Sequence, residues 1–484
     1  MNAQIYVVGL AVSISCLLLR TIYRLYFHPL SKFPGPKLPA ITHLYEFYYD
    51  VVKGGKFVWE IQRMHEQYGP IVRINPLELH IKDPYYHDSI YLTRRQEKDP
   101  YMARVFSAPH SAAATVDHDH HRYRRDLTTA FFSKRSVMSL ESLVHDKVDK
   151  ASLRFLNAYE QGTVISIDAV FAGLTADLVS HYTYGESMGV LDSKDMKNDF
   201  RDAIRSLGSI CHLTRFFAIF HGLIDGAPAL LEWIQPTSKG LLDTRRKVEK
   251  KAMHRLNETK GKNTKSTKTI FDYICDPAIP PEERSLARVK DEAFIFLLAG
   301  TESTARVLTT GAFWIYRDRS LLQKVRDELK PIMPEPTTRV PLTQLEKLPY
   351  LTALVNESLR LSHPVIIPFL LGHPVSQIIY FVHMDPNIFP DPERFNADRW
   401  IEASNNGVRL NRFLVPFSKG PRMCMGMNLA YSVLYQMFAT MIRRFDVEIH
   451  NTTPESIRIT RELVTGLPDT DTVIVHGLVT GILD

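Results

Sequence analysis

The sequence predicts a mainly α-helical protein with small β-sheets, one large globule behind an apolar N-terminal helix. Three observations carry this. Helical apolar spacing runs through most of the 484 residues. Strand candidates are few and short, and strand and helix patterns never alternate, which argues against a doubly wound sheet. Length alone would suggest two or three domains. Composition is ordinary for a globule, at 45% hydrophobic and 23% charged, with no repeat or low-complexity tract. The net charge of +6 suits an acidic partner or an anionic membrane surface, and is too diffuse to argue for nucleic acid.

Residues 5–19 are apolar apart from two serines. A bilayer span takes ~20 residues, so this run crosses one if Arg20 snorkels to the interface. The basic residues Arg20, Arg24 and Lys32 follow the run, and bulky Tyr23, Tyr26 and Phe27 fill the zone where a signal peptide needs small residues. An uncleaved anchor over residues 1–26 is expected, with the body facing the cytosol by the positive-inside rule. Residues 27–40 hold four prolines and read as a stiff linker. The globule then occupies residues 41–484.

Within it, amphipathic helices are expected over residues 133–158 and 237–260. Residues 211–234 are unusually apolar and broken by Gly222, Gly226 and Pro228. They read as two helices around an apolar loop, either core or a surface dipping into membrane. Residues 261–268 read as a solvated loop, 288–317 as one long apolar helix, 331–341 as a turn-rich break and 350–361 as a helix. Strands are expected at 71–74, 79–81 and 471–476.

Four cysteines, Cys16, Cys211, Cys275 and Cys424, lie far apart, so neither a disulfide framework nor metal-site spacing is present. A lone cysteine is usually a small buried apolar residue. Cys424 has unusual neighbours: it stands in "FSKGPRMCMG", Phe417 to Gly426. Gly420 and Pro421 force a turn before it, and a helix is expected over residues 428–442. The sulfur is thereby placed near a helix N-terminus, where N–H groups and the macrodipole favour a thiolate. Gly426 removes a side chain where a large flat ligand could press on the backbone. Arg422 offers a fork of donors to a carboxylate. Together these suit haem, which carries iron and two propionates, and thiolate ligation favours O–O cleavage.

The stretch resembles the haem-binding signature of the cytochrome P450 monooxygenases, Phe-x-x-Gly-x-Arg-x-Cys-x-Gly, at every fixed position. Four more stretches agree in order and rough spacing. "ESLR" gives Glu357 and Arg360, similar to the family's Glu-x-x-Arg pair. "FNADRW" resembles Phe-x-Pro-x-Arg-Trp with Ala397 at the proline position; its Arg399 would join that pair, and Arg394 of "PERF" falls too early. "AGTEST", Ala299 to Thr304, resembles the oxygen-binding segment of the central helix. "HRYRR" resembles the Trp-x-x-x-Arg element, with His121 at the tryptophan position. The proline-rich linker is similar to that of microsomal fungal members.

The resemblance implies a single haem domain with the cytochrome P450 fold. In it Cys424 would be the axial ligand of haem b, with Phe417 and Gly426 beside the ring, and Arg422, Arg125 and His121 would hold propionates. Glu357, Arg360 and Arg399 would lock the core near the cysteine loop. Gly300 would let oxygen and substrate approach the central helix. Glu302 and Ser303 would be the acid–alcohol pair that moves protons, with Thr304 able to share the role. Serine replaces the usual threonine and lacks the methyl that restricts its rotamer. The implied activity is insertion of one atom of O₂ into a hydrophobic small molecule, in fungal specialised metabolism at the endoplasmic reticulum membrane. Electrons would come from NADPH through a flavoprotein reductase.

The chain departs from the family pattern after Arg360. The family places a strand pair there, with an arginine for a propionate. This chain has no arginine between Arg360 and Arg394, and the segment between Ile367 and Gly372 is short. That leaves a second reading: a catalytically impaired or non-catalytic haem-binding paralogue, or an incomplete coding sequence. A peroxygenase or isomerase needing no reductase is a third, against which Glu302 and Ser303 argue.

Overall fold

A computed structural model describes residues 2–92, 95–196, 198–217, 219–234, 236–258, 269–363, 375–470 and 473–483. The chain opens with the helix Asn2–Ile22, extended by a turn at Tyr23–Phe27. The span Gln4–Phe27 is long and apolar enough to cross a membrane, and its apolar window is unburied. Its end is clamped to the globule. Arg24 is buried, donating to the Ile41 carbonyl at 2.6 Å, while Arg73 donates to the Arg24 carbonyl at 2.8 Å. The linker is folded too, into short helical turns at Pro29–Lys32 and Lys37–Ile41, with Arg73 N–H bonded to the Pro34 carbonyl at 2.8 Å.

The long apolar pattern becomes the central helix, Leu286–Arg317. Ser285 caps its start by accepting from the Arg288 N–H at 3.3 Å, satisfying a donor that has no partner inside the helix. Among the helices packed around it are Ile167–Tyr184, Pro349–Ser362 and Met427–Arg444. Phe155, Phe171, Leu308, Phe313 and Phe438 are fully buried in the core they share. Each such side chain contributes about 1.5–3 kcal/mol through burial.

Pro349 occupies the first turn of its helix, where a missing N–H costs nothing. The expected helix over 237–260 is Lys239–Glu258. Two expectations need correction. Residues 133–158 form two helices, Lys134–Ser139 and Glu141–Gln161, parted at Leu140, whose ψ of 3° leaves the helical well. Residues 211–234 are not two helices around a loop. They end the helix Asp199–Phe216 and add the short helices Ile219–Gly226 and Pro228–Ile234. The expected loop over 261–268 lies outside the described residues.

Three small sheets edge the helices. β1 (Ile71–Asn75) pairs antiparallel with β2 (Glu78–Ile81), which pairs parallel with β4 (Val375–Ser376). β3 (Val164–Ser166) and β5 (Phe445–His450) flank β8 (His476–Ile482), and β6 (Arg461–Leu463) forms a hairpin with β7 (Thr465–Leu467). The strand expected at 471–476 instead starts at His476. Val475 is fully buried but sits before the ladder. Its carbonyl accepts from Ile167 N–H at 2.8 Å and its N–H donates to Asp168 at 3.1 Å, so both groups are used before a strand could pair. The short segment between Ile367 and Gly372 lies outside the described residues.

Candidate functional site

Cys424, the central helix and the β6–β7 hairpin all line one cavity of about 420 Å³. The cysteine loop is built by local turn chemistry. Ser418 and Gly420 hold positive φ angles of 57° and 75°. A side chain at Gly420 would overlap the Tyr91 carbonyl, so this position takes glycine for conformation and space. Residues Gly420–Arg422 form a tight helical turn, and Cys424 N–H donates to the Phe417 carbonyl at 2.8 Å. The helix Met427–Arg444 follows at once. Phe417 lines the cavity and packs against Tyr431, ring centres 5.3 Å apart. At Gly426 an added Cβ would meet only the Cys424 sulfur, at 4.0 Å.

The Cys424 thiol is exposed to the cavity while protein encloses it on the other sides. Burial pushes the thiol above its usual value, against the pull of the Gly426 N–H and the Arg125 guanidinium. A bound metal ion would deprotonate it outright.

The basic side chains among the described cavity-lining residues are Lys98, His121, Arg125 and Arg422. Arg422 donates to three carbonyls, Gln96 at 3.1 Å, Thr115 at 2.7 Å and Val116 at 2.7 Å. Arg125 donates to the Met423 carbonyl at 2.7 Å, tying the His118–Thr129 helix to the cysteine loop. His121 is buried, and its Nδ1 has no partner. Burial, with Arg422 and Arg125 beside it, lowers its pKa to about 3. Burial, with a smaller push from Arg422, lowers Lys98 to about 7. The lining acids do not neutralise this wall. Glu292 accepts from Arg288 at 2.5 Å and from Ala112 N–H at 2.7 Å, and Glu302 is held by Arg201. A thiol facing a large cavity, an orphaned imidazole nitrogen and crowded cations fit haem with its two propionates.

The central helix brings Gly300, Glu302, Ser303 and Thr304 to the cavity. A Cβ at Gly300 would lie 2.6 Å from a Val179 methyl. The glycine therefore allows the close approach of the Ile167–Tyr184 helix while also lining the cavity. Ser303 donates to the Ala299 carbonyl at 2.6 Å, the back-bond typical of a helical serine. Thr304 is buried. Glu302 accepts from Arg201 Nε at 3.0 Å, and the same guanidinium donates to Asp168 at 2.8 Å. Arg201 and Asp168 come from the helices Asp199–Phe216 and Ile167–Tyr184, so three helices meet at one buried ionic joint.

The structure brings Glu357, Arg360 and Arg399 together. Glu357 accepts from Arg360 at 2.7 and 2.9 Å, from Arg399 at 3.2 Å, from Trp400 Nε1 at 2.9 Å and from Asn396 N–H at 2.9 Å. Arg360 also donates to the carbonyls of His383, Pro392 and Arg394. Arg394 contributes a carbonyl to the network. Full pairing is what makes such buried charge tolerable.

The sequence reading missed Lys98 and Arg201. Lys98 stands in "EKDP" and Arg201 in "DFRDA"; neither stretch is a motif, and each residue reaches the site only through folding.

The sequence profile of the family described as Cytochrome P450 matches residues 34–473. The chain is 41% identical to the Cytochrome P450 monooxygenase aflU of Aspergillus parasiticus, covering 99% of this chain and 98% of that one. It is 42% identical to the conidiogenone synthase PchP450 of Penicillium rubens over 92% and 93% of the two chains. With the Cytochrome P450 monooxygenase TRI4 of Trichoderma arundinaceum the identity is 39%, over 95% and 93%. The first alignment runs to 498 residues, longer than the 484 of this chain, so part of that relative has no counterpart here.

Proposed function

Because the chain belongs to the cytochrome P450 family, we propose that it is a membrane-anchored, haem-dependent monooxygenase acting on a hydrophobic small molecule in fungal specialised metabolism. The observation that carries this is the meeting, in one cavity, of the Cys424 thiol and the Ser303–Thr304 turn of the central helix. Bound through Cys424, haem supplies the iron chemistry that activates dioxygen, with electrons from NADPH through a flavoprotein reductase.

The protein's own residues do the rest. Leu178, Val179, Ile204, Ile295 and Phe296 form apolar wall that binds an apolar substrate and excludes water. Arg125 and Arg422 brace the cysteine loop against the neighbouring carbonyls while offering their remaining N–H groups to propionates. The Ser303 hydroxyl, once turned away from the Ala299 carbonyl, passes a proton toward the cavity, with Thr304 one residue on as its partner. Glu302 is the acid behind them, and Arg201 sets its position. General acid help of this kind is typically worth ~10²–10⁴-fold.

The anchor places the globule on the cytosolic face of the endoplasmic reticulum. Ile219 is 72% exposed and Trp233 is 80% exposed on the short helices after residue 217, and Phe47 near the N-terminus packs on Phe216 and Phe217 at 5.2 and 5.8 Å. This apolar surface, continuous with the anchored end of the globule, suits contact with the bilayer. The impaired or non-catalytic reading is not favoured. The thiol, the cationic wall and the hydroxyl pair are all in place, and the relatives named above are monooxygenases or a synthase.

The test is turnover of candidate hydrophobic metabolites with a supplied reductase, NADPH and isotopically labelled dioxygen. One labelled atom per product is expected. Product formed without label, or formed equally well without reductase, overturns the reading.

A further inference from the structure

We propose that Asp50, His212 and Glu462 form a binding site for a divalent first-row ion such as zinc, separate from the Cys424 site. All three side chains are buried, and their ligand atoms lie within 4.8 Å of one another. Asp50 comes from the turn Tyr48–Val52, His212 from the helix Asp199–Phe216 and Glu462 from β6.

His212 Nε2–H donates to the Glu462 carbonyl at 2.9 Å, which leaves Nδ1 as the ring nitrogen carrying the lone pair. That Nδ1 is buried and has no hydrogen-bond partner. It faces Asp50 Oδ2 at 3.9 Å, too far for a hydrogen bond. A ring held through one nitrogen by a backbone carbonyl, with the other nitrogen bare, is the arrangement of a metal-ligating histidine. Asp50 Oδ1 is also buried without a partner. Glu462 Oε1 accepts from the Val464 N–H at 2.5 Å, so the hairpin itself holds this carboxylate, with Oε2 3.7 Å from the imidazole.

Charge points the same way. Glu46, Asp50 and Glu462 bring three buried carboxylates to the joint. Arg215 pairs with Asp50 and, at 3.1 Å, with Glu46, and offsets one of them. Even a protonated His43, 3.3 Å from Glu46, would leave a negative surplus among the described residues. Buried charge without a counter-charge is costly, and a divalent ion supplies one. An imidazole with two carboxylates suits zinc or a similar ion, whereas calcium and magnesium favour all-oxygen sets. Zinc bonds of about 2.0–2.2 Å bring tetrahedral ligands within about 3.6 Å of one another, so the side chains close slightly on the ion. Gly208 and Cys211 of the same helix and Leu463 and Val464 of the hairpin line the cavity. An ion at this joint therefore ties two cavity walls to the segment that follows the anchor.

The experiment dialyses the full-length, haem-loaded protein in detergent against buffered zinc at about 1 µM free ion. Zinc per chain is counted by atomic emission, and zinc K-edge absorption reads its ligands. One zinc per chain is expected, bound by oxygen and a single imidazole without sulfur, and not displaced by excess magnesium or calcium. His212→Gln and Asp50→Asn should keep the haem and weaken zinc binding by at least the ~10–100-fold that losing an outer hydrogen-bond partner costs. A wild type that retains no zinc overturns the inference and leaves the surplus charge to a proton. So does zinc held by sulfur or by several imidazoles, or zinc retained equally by the two variants. The wild-type absorption spectrum decides alone if the variants do not fold. Zinc bound as expected by a chain that takes up no haem would overturn the family reading and leave this site standing.

Discussion

Replacing Arg201 with methionine removes the guanidinium that joins Glu302 to Asp168 while keeping apolar bulk. Two charge-assisted hydrogen bonds disappear, at 3.0 and 2.8 Å, each worth about 1.5–3 kcal/mol. Removing one partner of a buried ionic group costs about 3–5 kcal/mol, so the two routes agree. Asp168 keeps Ser166 Oγ at 2.8 Å and Val475 N–H at 3.1 Å. Glu302 keeps Arg306 at 3.9 Å. Glu302 thereby loses the guanidinium that sets its position. Urea unfolding of the haem-loaded protein should show a loss of about 3–5 kcal/mol. The yield of product per NADPH should fall, while Arg201→Lys recovers part of both stability and yield. A loss below about 1 kcal/mol, with unchanged coupling, would refute the claim that this joint holds the relay acid.

Ser303→Ala should slow product formation more than NADPH consumption, with the excess reducing equivalents leaving as hydrogen peroxide. Unaltered product per NADPH would move the role to Thr304 or to water. Acid should destabilise the fold below neutrality. Burial, the first cause in each case, lowers His65 and His87 to about 4 and His363 to about 3. These rings are neutral when folded, but the unfolded chain takes up protons near 6.5. Their contribution is complete above 6.5 and is lost as pH falls toward 4, at up to ~1.4 kcal/mol per pH unit for each. Glu78, raised by burial to about 8, acts oppositely, its contribution falling as pH rises from 4.5 toward 8. Three histidines outweigh one glutamate, so urea midpoints should drop between neutral and mildly acidic pH. A midpoint that rises on acidification contradicts this.

What the sequence made legible was local. The cysteine loop declares itself through Gly420, whose turn and close approach to Tyr91 tolerate no side chain, and through fixed spacing to Arg422 and Gly426. Glu357 and Arg360 are one helical turn apart, and Arg399 was found by register against the decoy Arg394. The illegible parts depend on distant partners. Lys98 and Arg201 look like surface cations until the fold buries them, Lys98 against Phe106 and Ala113 and Arg201 against Asp168 and Glu302. The break at Leu140 interrupts an amphipathic pattern that continues on both sides. Val473 and Val475 carry a strand-like pattern, yet Ile167 and Asp168 take the Val475 backbone groups first.

The central claim is that Cys424 supplies a thiolate to haem iron, and the reduced protein with carbonmonoxide tests it most directly. The account predicts the red-shifted Soret band of thiolate ligation in the wild type and its disappearance in Cys424→Ala. The same red-shifted band surviving in Cys424→Ala would contradict it.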